Sequence, residues 1–134
     1  MPETRYLTVL DVEALHVFIM EQTGDAPAPL RDRGLLESAV MRPQMAAHCA
    51  NADPVEQCAL LTLGISLARA FVDGNKRTAF IAADVFLRAN GLLFIGDPLE
   101  LARQLEASAG QQESPEEATA RFTAWLREYV SPVR

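Results

Sequence analysis

Residues 69 to 78 read Arg-Ala-Phe-Val-Asp-Gly-Asn-Lys-Arg-Thr, a polar decapeptide set between two apolar runs, Ala59 to Ala68 and Ala79 to Leu87. Both flanking runs have helical length, so the decapeptide reads as a short loop that ends one helix and opens the next. Gly74 permits a tight backbone path with positive φ. Asn75 is the expected N-cap of the second helix, which puts Lys76 and Arg77 in its first turn. Cations there oppose the helix macrodipole, a placement that makes sense if an anion belongs at the same spot. Backbone N–H groups, the dipole and two cationic side chains would then converge in the way helix N-termini bind phosphate, with Gly74, Asn75, Lys76 and Arg77 as the binding residues. Asp73 could hold the Mg²⁺ that accompanies a nucleotide. Spacing alone leaves open a plainer reading, a basic helix start solvated at the surface.

Working outward, several stretches announce helix starts. Thr8-Val-Leu-Asp11 offers an N-cap with a carboxylate three residues on. Asp53-Pro-Val-Glu56, Asp97-Pro-Leu-Glu100 and Ser114-Pro-Glu-Glu117 each combine a cap, proline at the first helical position and glutamate at the third. With the motif helix and a shorter one begun near Asp32, six helices are expected, over about 8–22, 32–42, 54–69, 75–90, 98–109 and 115–130. Asn90-Gly91 suits the C-terminus of the motif helix. Gly24 to Pro29, with two prolines, reads as a loop. Leu92 to Ile95 is too short for a helix and reads as an extended link. The expected fold is all-α, a compact bundle of about six helices in one domain spanning 1–134, with the motif helix pair at its centre.

Leu60, Leu61, Leu63, Ile65 and Leu67 crowd the first helix of that pair, and Phe80, Ile81, Val85, Phe86 and Leu87 the second. Apolar residues nearly all round mark helices enclosed by others. Phe71, apolar inside a polar motif, is expected to anchor the loop to this core. Asp84 on the motif helix is either a satisfied core group or an outward-facing one. Phe122, Trp125, Leu126, Tyr129 and Val130 form an i, i+3, i+4, i+7, i+8 stripe, expected to pack on the core.

Composition bounds the class. At 134 residues with 49% hydrophobic and 22% charged content, the chain is expected to be a soluble globular protein able to bury about two-thirds of its unfolded surface. No apolar run reaches the roughly 18–20 residues of a membrane span, and no basic-then-apolar leader opens the chain. Cys49 and Cys58 make no disulfide framework. A cytoplasmic location follows as an expectation. A net charge of −6 argues against direct nucleic-acid binding and fits basic residues concentrated at one site. His16 and His48 read as ordinary helix or surface histidines.

Arg69-Ala-Phe-Val-Asp-Gly-Asn-Lys-Arg77 resembles the signature of the Fic/Doc family, and in particular its Doc (death-on-curing) branch, His-x-Phe-x-(Asp/Asn)-x-Asn-Lys-Arg. Phe71, Asp73, Asn75, Lys76 and Arg77 match. The likeness extends to Gly34-Leu-Leu-Glu-Ser-Ala-Val and to Phe86-Leu-Arg-Ala-Asn-Gly91. Fic AMP transferases carry glycine where Lys76 stands and a second arginine where Phe80 stands, residues that orient ATP for α-phosphate attack. Losing both points to the Doc branch, whose members resemble kinases that present the γ-phosphate.

The resemblance implies a bacterial toxin of a type II toxin–antitoxin pair, using ATP with Mg²⁺ to phosphorylate a hydroxyl of a translation factor, elongation factor Tu, and so block translation. It implies as partner an antitoxin whose disordered segment folds into a groove on the toxin. The alternatives are Fic-type AMP transfer and a non-catalytic module that binds nucleotide or antitoxin. One position departs: Arg69 occupies the place of the family's histidine, the general base. Arginine stays protonated, and general acid–base catalysis typically contributes about 10²–10⁴-fold, so this chain is expected to be catalytically impaired. Two explanations stay open, a naturally non-catalytic member or a change that removes toxicity.

Overall fold

The computed structural model describes residues 3–110 and 113–133. Among the described residues the order is α1 (Val9–Gln22), α2 (Arg33–Ala50), α3 (Pro54–Ala68), α4 (Asn75–Ala89), β1 (Leu92–Phe94), α5 (Pro98–Gly110), α6 (Pro115–Arg127) and β2 (Val130–Pro132). The all-α expectation holds, with the six helices where the caps place them. Thr8 and Asp11 exchange bonds as a capping box at α1, and Ser114 and Glu117 do the same at α6. Asp53 caps α3 by accepting from the Glu56 N–H, and Asp32 caps α2 by accepting from Leu35. Each satisfies a donor that the helix start leaves without a partner.

The centre is α3, which packs against α2, α4 and α6. Leu61, Leu63 and Ile65 of α3 and Phe86 and Leu87 of α4 are fully buried, as expected for an enclosed pair. Leu60, Phe80, Ile81 and Val85 are only half-buried, and Leu67 is exposed. Small residues take their place at the closest approaches. Gly64 lies against Ala39 of α2, where a Cβ would stand 3.3 Å from the alanine side chain, and α4 buries Ala79, Ala82 and Ala83. Asp84 faces outward and pairs with Arg88 at 3.0 Å.

Two boundaries differ from the sequence reading. Helix α2 runs through Pro43 to Ala50 rather than ending at 42. Proline removes one helical hydrogen bond, but Pro43 is buried within this helix, and packing against α3 outweighs that loss. Helix α6 ends at Arg127, so Tyr129 and Val130 leave the helical stripe. Val130 instead enters β2, which pairs antiparallel with β1 through Leu92↔Pro132, Leu93↔Ser131 and Phe94↔Val130. The extended link at 92–95 is thus one strand of a two-stranded ribbon. Trp125 fills the corner, with ring centroids 6.0 Å from both Phe94 and Phe122 and 5.1 Å from Tyr129. Among the described residues, no helix is long and apolar enough to cross a membrane.

Candidate functional site

The chain turns from α3 into α4 through residues 69–74. Arg69 ends α3 in the left-handed conformation, φ 53° and ψ 44°, which lets the chain reverse within one residue. The loop is then held from three sides. The extended segment 29–32 lies along it: Leu30 bridges Phe71 antiparallel, Val72 N–H donates to the Pro29 carbonyl at 3.0 Å, and Asp32 N–H donates to Ala70 at 3.1 Å. The Arg31 guanidinium adds a 2.6 Å bond from Nη2 to the Arg69 carbonyl.

From the second side, the Asn75 carboxamide closes a ring on Phe71, accepting from its N–H at 3.0 Å and donating to its carbonyl at 2.9 Å. This corrects the expected cap. The N-cap is Gly74, at φ 84°, and no side chain caps the helix; Asn75 is the first helical residue because its amide is spent on the loop. The third side is α1. His16 is buried, stacks on Phe71 with centroids 3.8 Å apart and rings 9° from parallel, and donates from Nε2 to the Asp73 carbonyl at 2.9 Å. Phe71, expected to anchor the loop, is 3% exposed and lies against His16.

These supports leave an open cleft of ≈ 390 Å³, lined among others by Arg31, Ser66, Arg69, Asp73, Lys76 and Arg77. The motif residues expected to act together therefore share one cleft. Four of these side chains are cationic and one is anionic, in a molecule of net charge −6. The uncapped start of α4 opens on the same space, so its first N–H groups add partial positive charge. Arg77 is braced by Asp25 at 2.6 Å, by Thr23 at 2.8 Å and more loosely by Asp73 at 3.3 Å. Lys76 reaches Glu106 on α5 at 2.5 Å. Asp73 also caps its own turn, accepting from the Gly74 N–H at 2.8 Å.

Among the described residues no group of three acidic, histidine or cysteine side chains could hold a metal. A cation would have Asp73 alone from the protein, with ligand oxygens completing its shell. That suits Mg²⁺, which is commonly held by one or two carboxylates plus phosphate oxygens. The cleft thus gathers four cationic side chains and the uncapped start of α4 around one carboxylate, Asp73. Arg31, Ser66 and His16 were not read as site residues from the sequence. The Ser66 hydroxyl is buried without a hydrogen-bond partner and lines the cleft. His48 is exposed on α2 and takes no part in the cleft.

Comparison with known proteins meets this geometry. Residues 6–87 match the model of the Fic/DOC family, a span that runs from the segment before α1 through the loop to near the end of α4. The chain is 43% identical over 70 residues to a protein named Toxin Doc from Mycolicibacterium smegmatis, an overlap of 51% of this chain and 54% of that one. It therefore spans about half the length of the curated relative it matches. With its family match covering more than half of its residues and its likeness to Toxin Doc, the chain belongs to the Fic/DOC family, in the Doc branch.

Proposed function

We propose that this protein is a Doc-type toxin scaffold that binds ATP with Mg²⁺ in the cleft at the start of α4 and that, in its histidine form, transfers the γ-phosphate to a hydroxyl of a translation factor such as elongation factor Tu. The observation that carries the reading is the uncapped, cation-lined N-terminus of α4 beside Asp73, with residue 69 at its rim. Asn75 sets the loop, Gly74 lets the helix start close to α1, and Lys76, Arg77 and Arg31 supply cations for phosphate oxygens. Asp73 would hold the Mg²⁺, which when bound offsets phosphate charge.

In the transfer, the target's hydroxyl oxygen forms a bond to the γ-phosphorus while the bond to the β,γ-bridging oxygen breaks and ADP leaves. The hydroxyl proton must go to a base at position 69. A guanidinium donates hydrogen bonds and accepts none, so Arg69 cannot take it, and the chain as it stands binds but turns over slowly or not at all. Backbone geometry supports histidine there: among non-glycine residues, asparagine, aspartate and histidine are enriched in the left-handed region, which is where residue 69 sits.

The antitoxin has a candidate seat beside the site. An apolar cleft of ≈ 380 Å³ between α1, α4 and α5, lined by Ile19, Phe80 and Leu105, shares Lys76 and Arg77 with the phosphate cleft. A helix laid in it would cover the same cations. One observation favours a second reading, a binding module without catalysis: Arg69 is exposed at the rim and adds a cation where the family has its base.

An Arg69→His variant separates the two. Incubated with Mg²⁺, elongation factor Tu and ATP labelled at either the α- or the γ-phosphate, it is expected to transfer γ-label at least 10²-fold faster than the parent, the lower end of a general base's contribution. Transfer of α-label would replace the kinase reading by AMP transfer. Transfer of neither label, with ATP still bound, would favour the binding module.

A further inference from the structure

We propose that His16, a residue of α1 outside the motif, is a positioning residue for the phosphate loop. Its Nε2–H holds the Asp73–Gly74 peptide so that the Asp73 carboxylate and the first turn of α4 face the cleft. The consequence for ligand binding rests on the phosphate-site reading above; the positioning itself rests on contacts alone.

Helix α1 buries Val12, His16 and Met20, one residue per turn on a single inward stripe. A stripe of that kind needs an apolar group of about this size at its middle position, and histidine is not required to fill it. What histidine adds is a directed donor. Its ring bonds the Asp73 carbonyl at 2.9 Å and stacks on Phe71 at 3.8 Å, so one side chain grips the loop at two points two residues apart. Phe71 is locked in turn to Asn75, the first residue of α4. A carbonyl oxygen only accepts, so Nε2 must carry the proton, and the ring is fixed as the Nε2–H form or the imidazolium.

The grip continues onto Gly74. A Cβ at that position would run into Met20 Sδ and stand 3.2 Å from His16 Nε2. The Gly74 backbone therefore rests directly on two α1 side chains, Met20 and His16. The carbonyl of Asp73 and its carboxylate belong to one residue: fixing the first restricts where the second can point. A chain of contacts thus runs from His16 through Phe71 and Asp73 to the opening turn of α4.

Two variants separate positioning from packing. His16→Phe keeps an aromatic ring to stack on Phe71 but removes the donor. His16→Gln gives up the stack but returns an N–H close to the place of Nε2. Thermal unfolding, amide hydrogen exchange of Asp73 to Thr78, and affinity for Mg²⁺·ATP are measured on parent and variants. The positioning role predicts that His16→Phe stays folded, exchanges the Asp73–Thr78 amides faster, and binds Mg²⁺·ATP roughly tenfold more weakly, the scale of one hydrogen bond. His16→Gln recovers most of that affinity despite its poorer packing. The imidazole ¹⁵N signals of the parent should show a protonated Nε2.

Unchanged exchange and affinity in His16→Phe, or an unprotonated Nε2 in the parent, would overturn the proposal. If the parent does not bind Mg²⁺·ATP at all, the phosphate-site reading fails by itself. Faster exchange of the loop in His16→Phe would still support positioning, and unchanged exchange would remove it.

Discussion

Gly74 is held in the left-handed region at φ 84° with α1 pressed against it, so two constraints meet at one Cα. An added methyl group must pay a backbone cost of about 1–2 kcal/mol and an overpacking cost of about 1–3 kcal/mol. Gly74→Ala is therefore expected to lose about 2–5 kcal/mol in urea denaturation, and a variant as stable as the parent would contradict the contact with α1. Arg69 shares the left-handed conformation but is exposed, with no such crowding, so Arg69→His should leave stability unchanged within about 0.5 kcal/mol. The tight turn at Gly74 was legible in the sequence because glycine is the residue that tolerates it. The N-cap was misplaced by one residue, since nothing local reveals that the Asn75 amide is committed to Phe71. Arg31 and His16 were not legible at all. Their partners lie 38 and 57 positions away, and only the tertiary fold brings them to the loop.

The starts of α1, α2, α3 and α6 were legible for a physical reason: each carries its own side-chain cap, and a cap is a short-range interaction. Asp53 shows how such a cap also ties elements together. Its carboxylate accepts from the Glu56 N–H at 2.9 Å at the start of α3 and from Arg127 at 2.8 Å near the end of α6. The Arg127 bond, with the Glu56 N–H and against some desolvation, holds this carboxyl below its ordinary 3.8. A depressed folded-state value contributes stability above the unfolded value and loses it as pH falls through the folded one. The side chain is half-exposed, so the Arg127 pair contributes below about 1 kcal/mol, and the cap adds about 1 kcal/mol. Asp53→Ala should therefore cost more than Asp53→Asn, which retains a capping oxygen. The gap between parent and Asp53→Asn should narrow as pH falls through the unfolded value of 3.8 and close below the depressed folded one in urea titrations. A gap that widens in acid would reverse the assignment. The ends of α2 and α6 were harder to read, because Pro43 and the Tyr129–Val130 pair follow long-range packing rather than local signals.

At the scale of the molecule, one buried layer carries the site. Helices α3 and α4 pack on each other and meet at the loop, so loosening of the core should move the cleft. Cys58 lies in that layer, and burial pushes its thiol up to about 12 despite the bond with Thr62; Cys49 is exposed. A thiol reagent at pH 8 is expected to modify Cys49 at once and Cys58 only at the rate of unfolding. Rapid reaction of both would contradict the packing of α3. Charge is likewise organised globally: the molecule is acidic, yet its cleft gathers Arg31, Arg69, Lys76 and Arg77 around the open end of α4. The helix bundle and the motif loop could be read from the sequence, whereas the β1–β2 ribbon and the bracing of the loop by segment 29–32 depend on residues far apart in the chain. The protein's proposed activity depends on that cleft taking nucleotide phosphate. The direct measurement is a titration of the ¹⁵N-labelled protein with Mg²⁺·ATP, followed by its amide resonances. The amides of Gly74 to Arg77 are expected to shift together and saturate, and Lys76→Ala to weaken the response. Unmoved Gly74–Arg77 amides, or shifts confined to another face of the bundle, would contradict phosphate binding in the cleft.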